Sequence, residues 1–107
     1  MKPERNFDIA IVEKGALEFE DLLQISIKEV MVDKETLAKA IAPVIGQLLD
    51  RDFEKLLQLC YRLDLGEDKL NGILLETPPG KITESLSLAI VERQLLKVYY
   101  RKTYFKR

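Results

Sequence analysis

Histidine and tryptophan are missing from this 107-residue sequence, and cysteine occurs only once, as Cys60. The absence of histidine removes the side chain most often used for proton transfer near neutral pH and the commonest zinc ligand. A single cysteine excludes an internal disulfide and a cysteine-rich metal site, and it favours the reducing cytoplasm over a secreted location. We therefore predict a cytoplasmic protein that needs no metal or other cofactor and is not an enzyme.

Long apolar runs and turn-forming residues are also scarce. The longest apolar run, residues 40–45, falls far short of the roughly 18 residues that cross a bilayer, and residues 1–6 are not followed by the apolar core of a signal peptide. Only five glycines and four prolines are present, which disfavours a fold built from many turns. These absences predict a chain without an export signal or membrane span, and they favour helices over strands.

The residues that are present favour one all-α domain spanning residues 1–107. Hydrophobic residues make up 47% of the chain and charged residues 33%, which is enough apolar surface for a core and too much for a disordered chain. Leucine, glutamate, lysine, isoleucine and alanine dominate, and several of them are strong helix formers. We expect a compact bundle of four or five helices with a long C-terminal helix.

Apolar residues recur at the three- and four-residue spacing of an amphipathic helix along most of the chain. Residues 7–13 instead alternate weakly at period two, so an irregular arm, a helical turn and a strand paired across a dimer all remain open. We treat residues 1–15 as an N-terminal arm of uncertain structure. The first helical stripe comprises Phe19, Leu22, Leu23, Ile27, Val30 and Met31. The spacing predicts helices at residues 16–31, 34–49, 52–64, 67–76 and 82–102.

Capping and helix-breaking residues refine these boundaries. Asp33 is the expected N-cap of the second helix, and Pro43 should bend or break that helix because proline lacks an N–H group. Gly66 is expected to adopt the left-handed conformation that ends a helix. Asp64 and Glu67 have the spacing of a capping box at the start of the fourth helix.

Cys60 and Glu92 are the two side chains that invite a catalytic interpretation. Cys60 lies on the apolar side of residues 52–64, where a buried and inert thiol is expected rather than a nucleophile. Glu92 falls on the apolar side of the last helix. We expect Glu92 to be partly buried and paired with a tyrosine hydroxyl, a basic side chain or helix-end N–H groups. A perturbed catalytic carboxylate is the alternative, and no partner acid or base is evident for it.

The end of the chain differs from the rest in charge. Residues 97–107 contain five lysines and arginines and no acidic residue, whereas residues 1–96 contain 12 basic and 18 acidic residues. Aromatic side chains are interleaved with the basic ones. The candidate interaction residues there are Tyr99, Tyr100, Arg101, Lys102, Tyr104 and Phe105.

Two functions fit this tail. The broad apolar face of the last helix and its aromatic residues favour a non-enzymatic protein-interaction or adaptor module that binds a protein partner or self-associates. The alternative is a binder of nucleic acid or of an acidic partner. Basic residues are ordinary at a helix C-terminus, and the acidic remainder of the chain would repel a polyanion, which disfavours nucleic acid. That alternative depends on Lys97, Arg101, Lys102, Lys106 and Arg107.

Residues 48–70, LLDRDFEKLLQLCYRLDLGEDKL, and residues 90–98, IVERQLLKV, resemble small uncharacterised bacterial all-helical proteins. The resemblance extends over residues 33–101 and implies a helical fold without implying an activity. The expected series of short helices ending in a longer one is also similar in architecture to death-domain-like adaptor modules. Such a likeness bears on the fold and does not establish function.

Overall fold

The computed structural model describes residues 7–104, and within that range it is an all-α bundle without strands. Five α-helices follow one another, and the last is the longest, which confirms the predicted fold class. No helix within residues 7–104 has the length and apolar character that crossing a bilayer requires. The elements are α1 (Ile9–Leu23), α2 (Lys34–Arg51), α3 (Phe53–Arg62), α4 (Glu67–Glu76) and α5 (Ile82–Tyr104), with a short 3-10 turn at Pro79–Lys81.

The core is built around α5, which packs against α1, α2 and α4. Side chains that lose almost all contact with water come from α1, α2, α3 and α5. Burying each of them stabilises the fold by about 1.5–3 kcal/mol through the hydrophobic effect. The largest are Phe19, Leu37, Ile41, Ile45, Leu56, Leu86, Ile90 and Leu95.

The first helix lies closer to the N-terminus than the sequence predicts, because it spans Ile9–Leu23 rather than residues 16–31. Residues 9–15 therefore belong to a helix and not to an arm or a strand. Asp8 begins the helix, since its carboxylate accepts a hydrogen bond from the Ile11 N–H at 3.0 Å. The buried residues of α1 are Ile11, Val12, Gly15, Ala16 and Phe19.

Residues 24–33 leave the helical path that their apolar spacing predicts. Gln24 has a φ of 56°, the left-handed conformation in which many helices end, and the Ile25 N–H donates to the Glu20 carbonyl at 3.2 Å. The Glu20 carboxylate accepts a further hydrogen bond from the Ile27 N–H at 2.7 Å. These local hydrogen bonds end the helix. They cannot be predicted from the spacing of apolar residues in the sequence.

α2 runs through Pro43 without a break, so of the two predicted effects of this proline the break does not occur. Pro43 is exposed, so its missing N–H removes one hydrogen bond, to the carbonyl of Lys39, on the solvent side of the helix. Leu37, Ile41 and Ile45 are fully buried on the other side. Their packing holds the helix on both sides of the proline.

Asp33 caps α2 as predicted. Its carboxylate accepts hydrogen bonds from the Thr36 hydroxyl at 2.6 Å and from the Thr36 N–H at 2.8 Å. These bonds favour the ionised carboxylate and hold the pKa of Asp33 below its ordinary value. The cap fixes the start of α2 directly after the extended segment.

The turn between α3 and α4 contains a left-handed residue, and that residue is Asp64 rather than the predicted Gly66. Asp64 has a φ of 60°, whereas Gly66 has a φ of −64° and is the N-cap of α4 without a side-chain hydrogen bond. The predicted capping box does not form. Asp64 pairs with Lys97, and Glu67 accepts a hydrogen bond from the Tyr61 hydroxyl at 3.2 Å.

Candidate interaction site

The tyrosines near the end of α5 divide between the core and the surface. Tyr99 is half-buried and packs against the core, whereas Tyr100 and Tyr104 are 40% and 69% exposed. The ring centroids of Tyr100 and Tyr104 lie 5.8 Å apart, so the two rings form a continuous aromatic surface over one helical turn. Phe105 and residues 106–107, which the sequence also indicates, lie outside the described residues.

Tyr100 lines a cleft between α1 and α5, to which the C-terminal end of α3 also contributes. The cleft has a volume of about 690 Å³. On the α1 side the cleft is lined by Leu17, which is 61% exposed. We refer to it as the α1–α5 cleft, which is lined by Lys14, Leu17, Glu18, Asp21, Leu22, Arg62, Leu63, Arg93, Gln94, Lys97, Tyr100 and Arg101.

Basic residues outnumber acidic residues by five to two in the lining of the α1–α5 cleft. The chain as a whole has a net charge of −1, so the cleft is a locally positive surface on a slightly acidic protein. Its cations come from three different helices. They are Lys14 from α1, Arg62 from α3, and Arg93, Lys97 and Arg101 from α5.

Three of these cations are paired within the chain. Lys14 Nζ lies 4.0 Å from Glu18 Oε2. Lys97 Nζ lies 3.0 Å from Asp64 Oδ2, and an Arg101 Nη lies 2.7 Å from Glu18 Oε2. Glu18 also accepts a hydrogen bond from the buried side chain of Gln94. Lys97 and Arg101, which the sequence marks as candidate phosphate contacts, are therefore partly neutralised by neighbouring carboxylates.

Arg62, Arg93 and Lys102 form no ion pair with any residue in the described range. The Arg93 Nε–H donates to the Leu63 carbonyl at 2.9 Å, which orients the side chain and leaves the terminal N–H groups of its guanidinium for another acceptor. Arg62 and Arg93 both line the α1–α5 cleft. The cleft therefore presents two guanidinium groups, which are well suited to bind carboxylates.

Glu92 is half-buried on α5 and pairs with Lys34, the first residue of α2. Lys34 Nζ donates to Glu92 Oε2 at 2.7 Å, and Lys34 is only 4% exposed. A tyrosine hydroxyl, a basic side chain and helix-end N–H groups were the predicted partners of Glu92, and the structure shows the basic side chain of Lys34 in that role. The pair accounts for a charge on an otherwise apolar helix face, because it compensates a buried ammonium group. It also ties the start of α2 to α5.

Cys60 is fully buried within the core, and burial raises the pKa of its thiol. A raised pKa keeps the sulfur protonated near neutral pH, where only the thiolate would be nucleophilic. Among the described residues, no three cysteine, aspartate or glutamate side chains are grouped so as to hold a metal ion.

Sequence patterns indicate only part of this site. Tyr100 and Arg101 are conspicuous in the sequence because they belong to the basic and aromatic tail. Leu17, Arg62 and Arg93 are not, since each lies on an ordinary amphipathic helix and acquires its significance only when α1, α3 and α5 come together. The one signal for Leu17 is that it lies within the predicted helix at residues 16–31 but outside its apolar stripe.

The chain matches no protein-family model, and no curated protein and no solved structure is significantly similar to it. The resemblance to small bacterial helical proteins and to adaptor modules therefore stays a prediction.

Proposed function

We propose that this protein is a non-enzymatic protein-interaction module and that the α1–α5 cleft is its binding site. The observation that carries the proposal is the exposure of Leu17 and Tyr100, 61% and 40%, on two different helices that line one cleft. Large apolar side chains that flank a concave surface are typical of sites that bind another protein. Tyr104 extends the aromatic edge by one helical turn.

The charge of the cleft favours an acidic segment as the partner. A helix with an apolar face would cover Leu17 and Tyr100, while acidic residues at its margins would meet Arg62 and Arg93. This arrangement uses both the apolar and the basic residues of the cleft. A purely apolar partner would leave the two arginines without compensation.

A protein partner is better supported than nucleic acid. A phosphate backbone is bound mainly by lysine and arginine side chains, which neutralise the phosphates and displace the counterions condensed on them. Two of the cations on which that alternative depends, Lys97 and Arg101, already contact Asp64 and Glu18. Incoming phosphates would have to compete with these carboxylates.

Site-specific photocrosslinking tests the proposal. Tyr100 is replaced by p-benzoylphenylalanine in a tagged full-length chain, which is irradiated in cells that express the protein. We expect a discrete protein adduct that is absent when the same probe replaces Val30. Val30 is a suitable control because it is 75% exposed and lies outside the cleft.

The same experiment has a clear contrary outcome. If the probe gives the same adducts at both positions, or none at position 100, the α1–α5 cleft is not a protein-binding site and the proposal is wrong. Adding Leu17→Gln to the chain with the probe at position 100 is an internal check. It should weaken the adduct if both residues contact one partner.

A further inference from the structure

α4 carries the most exposed large apolar side chain among the described residues. Leu75 is 83% exposed, although it belongs to a helix whose other face is held in the core by Leu70. Asp68, Asn71 and Gly72 share its side of the helix at the spacing of one helical face. We call these four residues the outer face of α4.

Gly72 has no role in the internal packing of the protein. A Cβ atom placed on it would have nothing within 4 Å, and its φ is not positive. Glycine in a helix interior destabilises the helix relative to alanine, so a position with open space and ordinary backbone gains nothing from it within the fold. A helix without a side chain at this position does, however, let another surface approach closely.

The charge of α4 is opposite to that of the α1–α5 cleft. The helix contains Glu67, Asp68 and Glu76 against the single cation Lys69. Asp68 and Glu76 form no ion pair with any residue between 7 and 104. An exposed leucine between acidic residues is the chemistry that the cleft favours in its partner.

We propose that the α1–α5 cleft binds α4 of a second copy of this chain. Leu75 would pack against Leu17 and Tyr100, Gly72 would allow close approach, and the acids of α4 would face Arg62 and Arg93. This inference rests on the proposed function of the cleft and names its occupant. No residue of α4 lines the cleft of its own chain, so the two surfaces are separate.

The contact joins two unlike surfaces, a cleft and a helix, so two copies close a two-fold dimer only when each docks its α4 in the cleft of the other. When a single contact joins the pair, a free cleft remains at one end and a free α4 at the other, and chains add head to tail into a ring or a filament. A dimer that pairs cleft with cleft, or α4 with α4, would instead use the same surface twice. The two arrangements are distinguished by how single-surface variants behave when they are mixed.

The test compares three exposed apolar residues replaced by glutamine in the full-length chain. Leu17→Gln alters the cleft, Leu75→Gln alters α4, and Val30→Gln is the matched control on neither surface. Sedimentation velocity over a range of concentrations reports assembly, and circular dichroism melting verifies the fold. We expect wild-type mass to rise with concentration, with association weakened about tenfold or more by either surface substitution and changed less than about twofold by the control.

Mixing gives the decisive result. Leu17→Gln retains an intact α4, and Leu75→Gln retains an intact cleft, so an equimolar mixture should form a one-to-one complex that does not grow further. Raising the salt concentration should weaken this complex, because charge attraction contributes to it. A dimer that pairs cleft with cleft, or α4 with α4, would give no such rescue.

Several outcomes would overturn the inference. They are a wild-type chain that stays monomeric at every concentration, assembly that neither substitution affects, and a mixture that contains only monomers. The proposed function is judged separately by photocrosslinking at position 100. A monomeric chain that still gives a discrete adduct with another protein would refute self-assembly while supporting the binding role of the cleft.

Discussion

α1 and α4 both pack against α5, and both contain a glycine in the middle of the helix. The two glycines differ in how much space surrounds the position of the missing Cβ atom. At Gly15 an added Cβ would overlap the Cδ2 atom of Leu95, a side chain that is fully buried. At Gly72 it would meet nothing within 4 Å. The same residue type therefore serves internal packing in α1 and is left unexplained by the fold in α4.

This contrast shows what a helical glycine means. When a neighbouring side chain occupies the space of the missing Cβ, the glycine allows close packing that a larger residue would disturb. When the space is empty, the glycine still lowers the stability of the helix relative to alanine. Close approach of a partner molecule is a stabilising contact that can offset this loss. Four predictions test the contrast, beginning with the largest effect.

Leu95→Ala should destabilise the protein by about 2–5 kcal/mol, because it removes a fully buried side chain at the α1–α5 contact and leaves a cavity. Leu57→Ala should cost less, since Leu57 is only half-buried. Urea denaturation of both variants measures the free energy of unfolding. Equal losses for the two would show that the packing around Leu95 is described incorrectly.

Gly15→Ala should destabilise by about 1–3 kcal/mol, because its methyl group overlaps the position of the Leu95 side chain. The loss should shrink or reverse in the Leu95→Ala background, where space has been freed. A double-mutant cycle of unfolding free energies measures this coupling. Additive effects would mean that Gly15 is not needed to accommodate Leu95.

Asp8→Ala should destabilise by about 0.5–2 kcal/mol, because the Asp8 carboxylate caps α1 through the Ile11 N–H. α4 lacks such a cap, since its N-cap is Gly66. Gly66→Ser should therefore stabilise the protein by about a few tenths of a kcal/mol. Thermal melts of the two variants should shift in opposite directions, and parallel shifts would contradict the assignment of the caps.

Gly72→Ala should stabilise the isolated chain by about 0.5–1 kcal/mol, because alanine favours the helix and meets no neighbour. If α4 docks into the cleft of a second copy, the same change should weaken assembly. The melting temperature should then rise while the association measured by sedimentation weakens, both from this one substitution. Stabilisation without any loss of assembly would remove Gly72 from the proposed interface.

The helices between residues 34 and 104 agree closely with the sequence-based predictions, whereas the first helix does not. α4 was predicted at residues 67–76 and lies there. The apolar residues of this segment recur at helical spacing and fit no other secondary structure. Residues 16–31 also have helical spacing, although their β-branched residues are compatible with an extended chain. Glu20 decides between the two by accepting a hydrogen bond from the Ile27 N–H.

Only the part of the candidate site that α5 contributes could be predicted from the sequence. The tail shows Tyr100 and Arg101 as unusual in the sequence, and both line the cleft. The availability of a cation depends on which carboxylates lie nearby. Glu18 lies 83 residues from Arg101 along the chain, and Asp64 lies 33 residues from Lys97. Spacing along the sequence carries no information about such pairs.

The sequence by itself determined an all-α chain with a long last helix and a buried thiol, because apolar periodicity and helix propensity are local properties that each segment carries alone. The tertiary structure alone decided where α1 begins and ends, which partner Glu92 takes, and which arginines remain unpaired in the cleft. These depend on distances between residues far apart in sequence. Only the packing of α1, α3 and α5 against one another sets such distances.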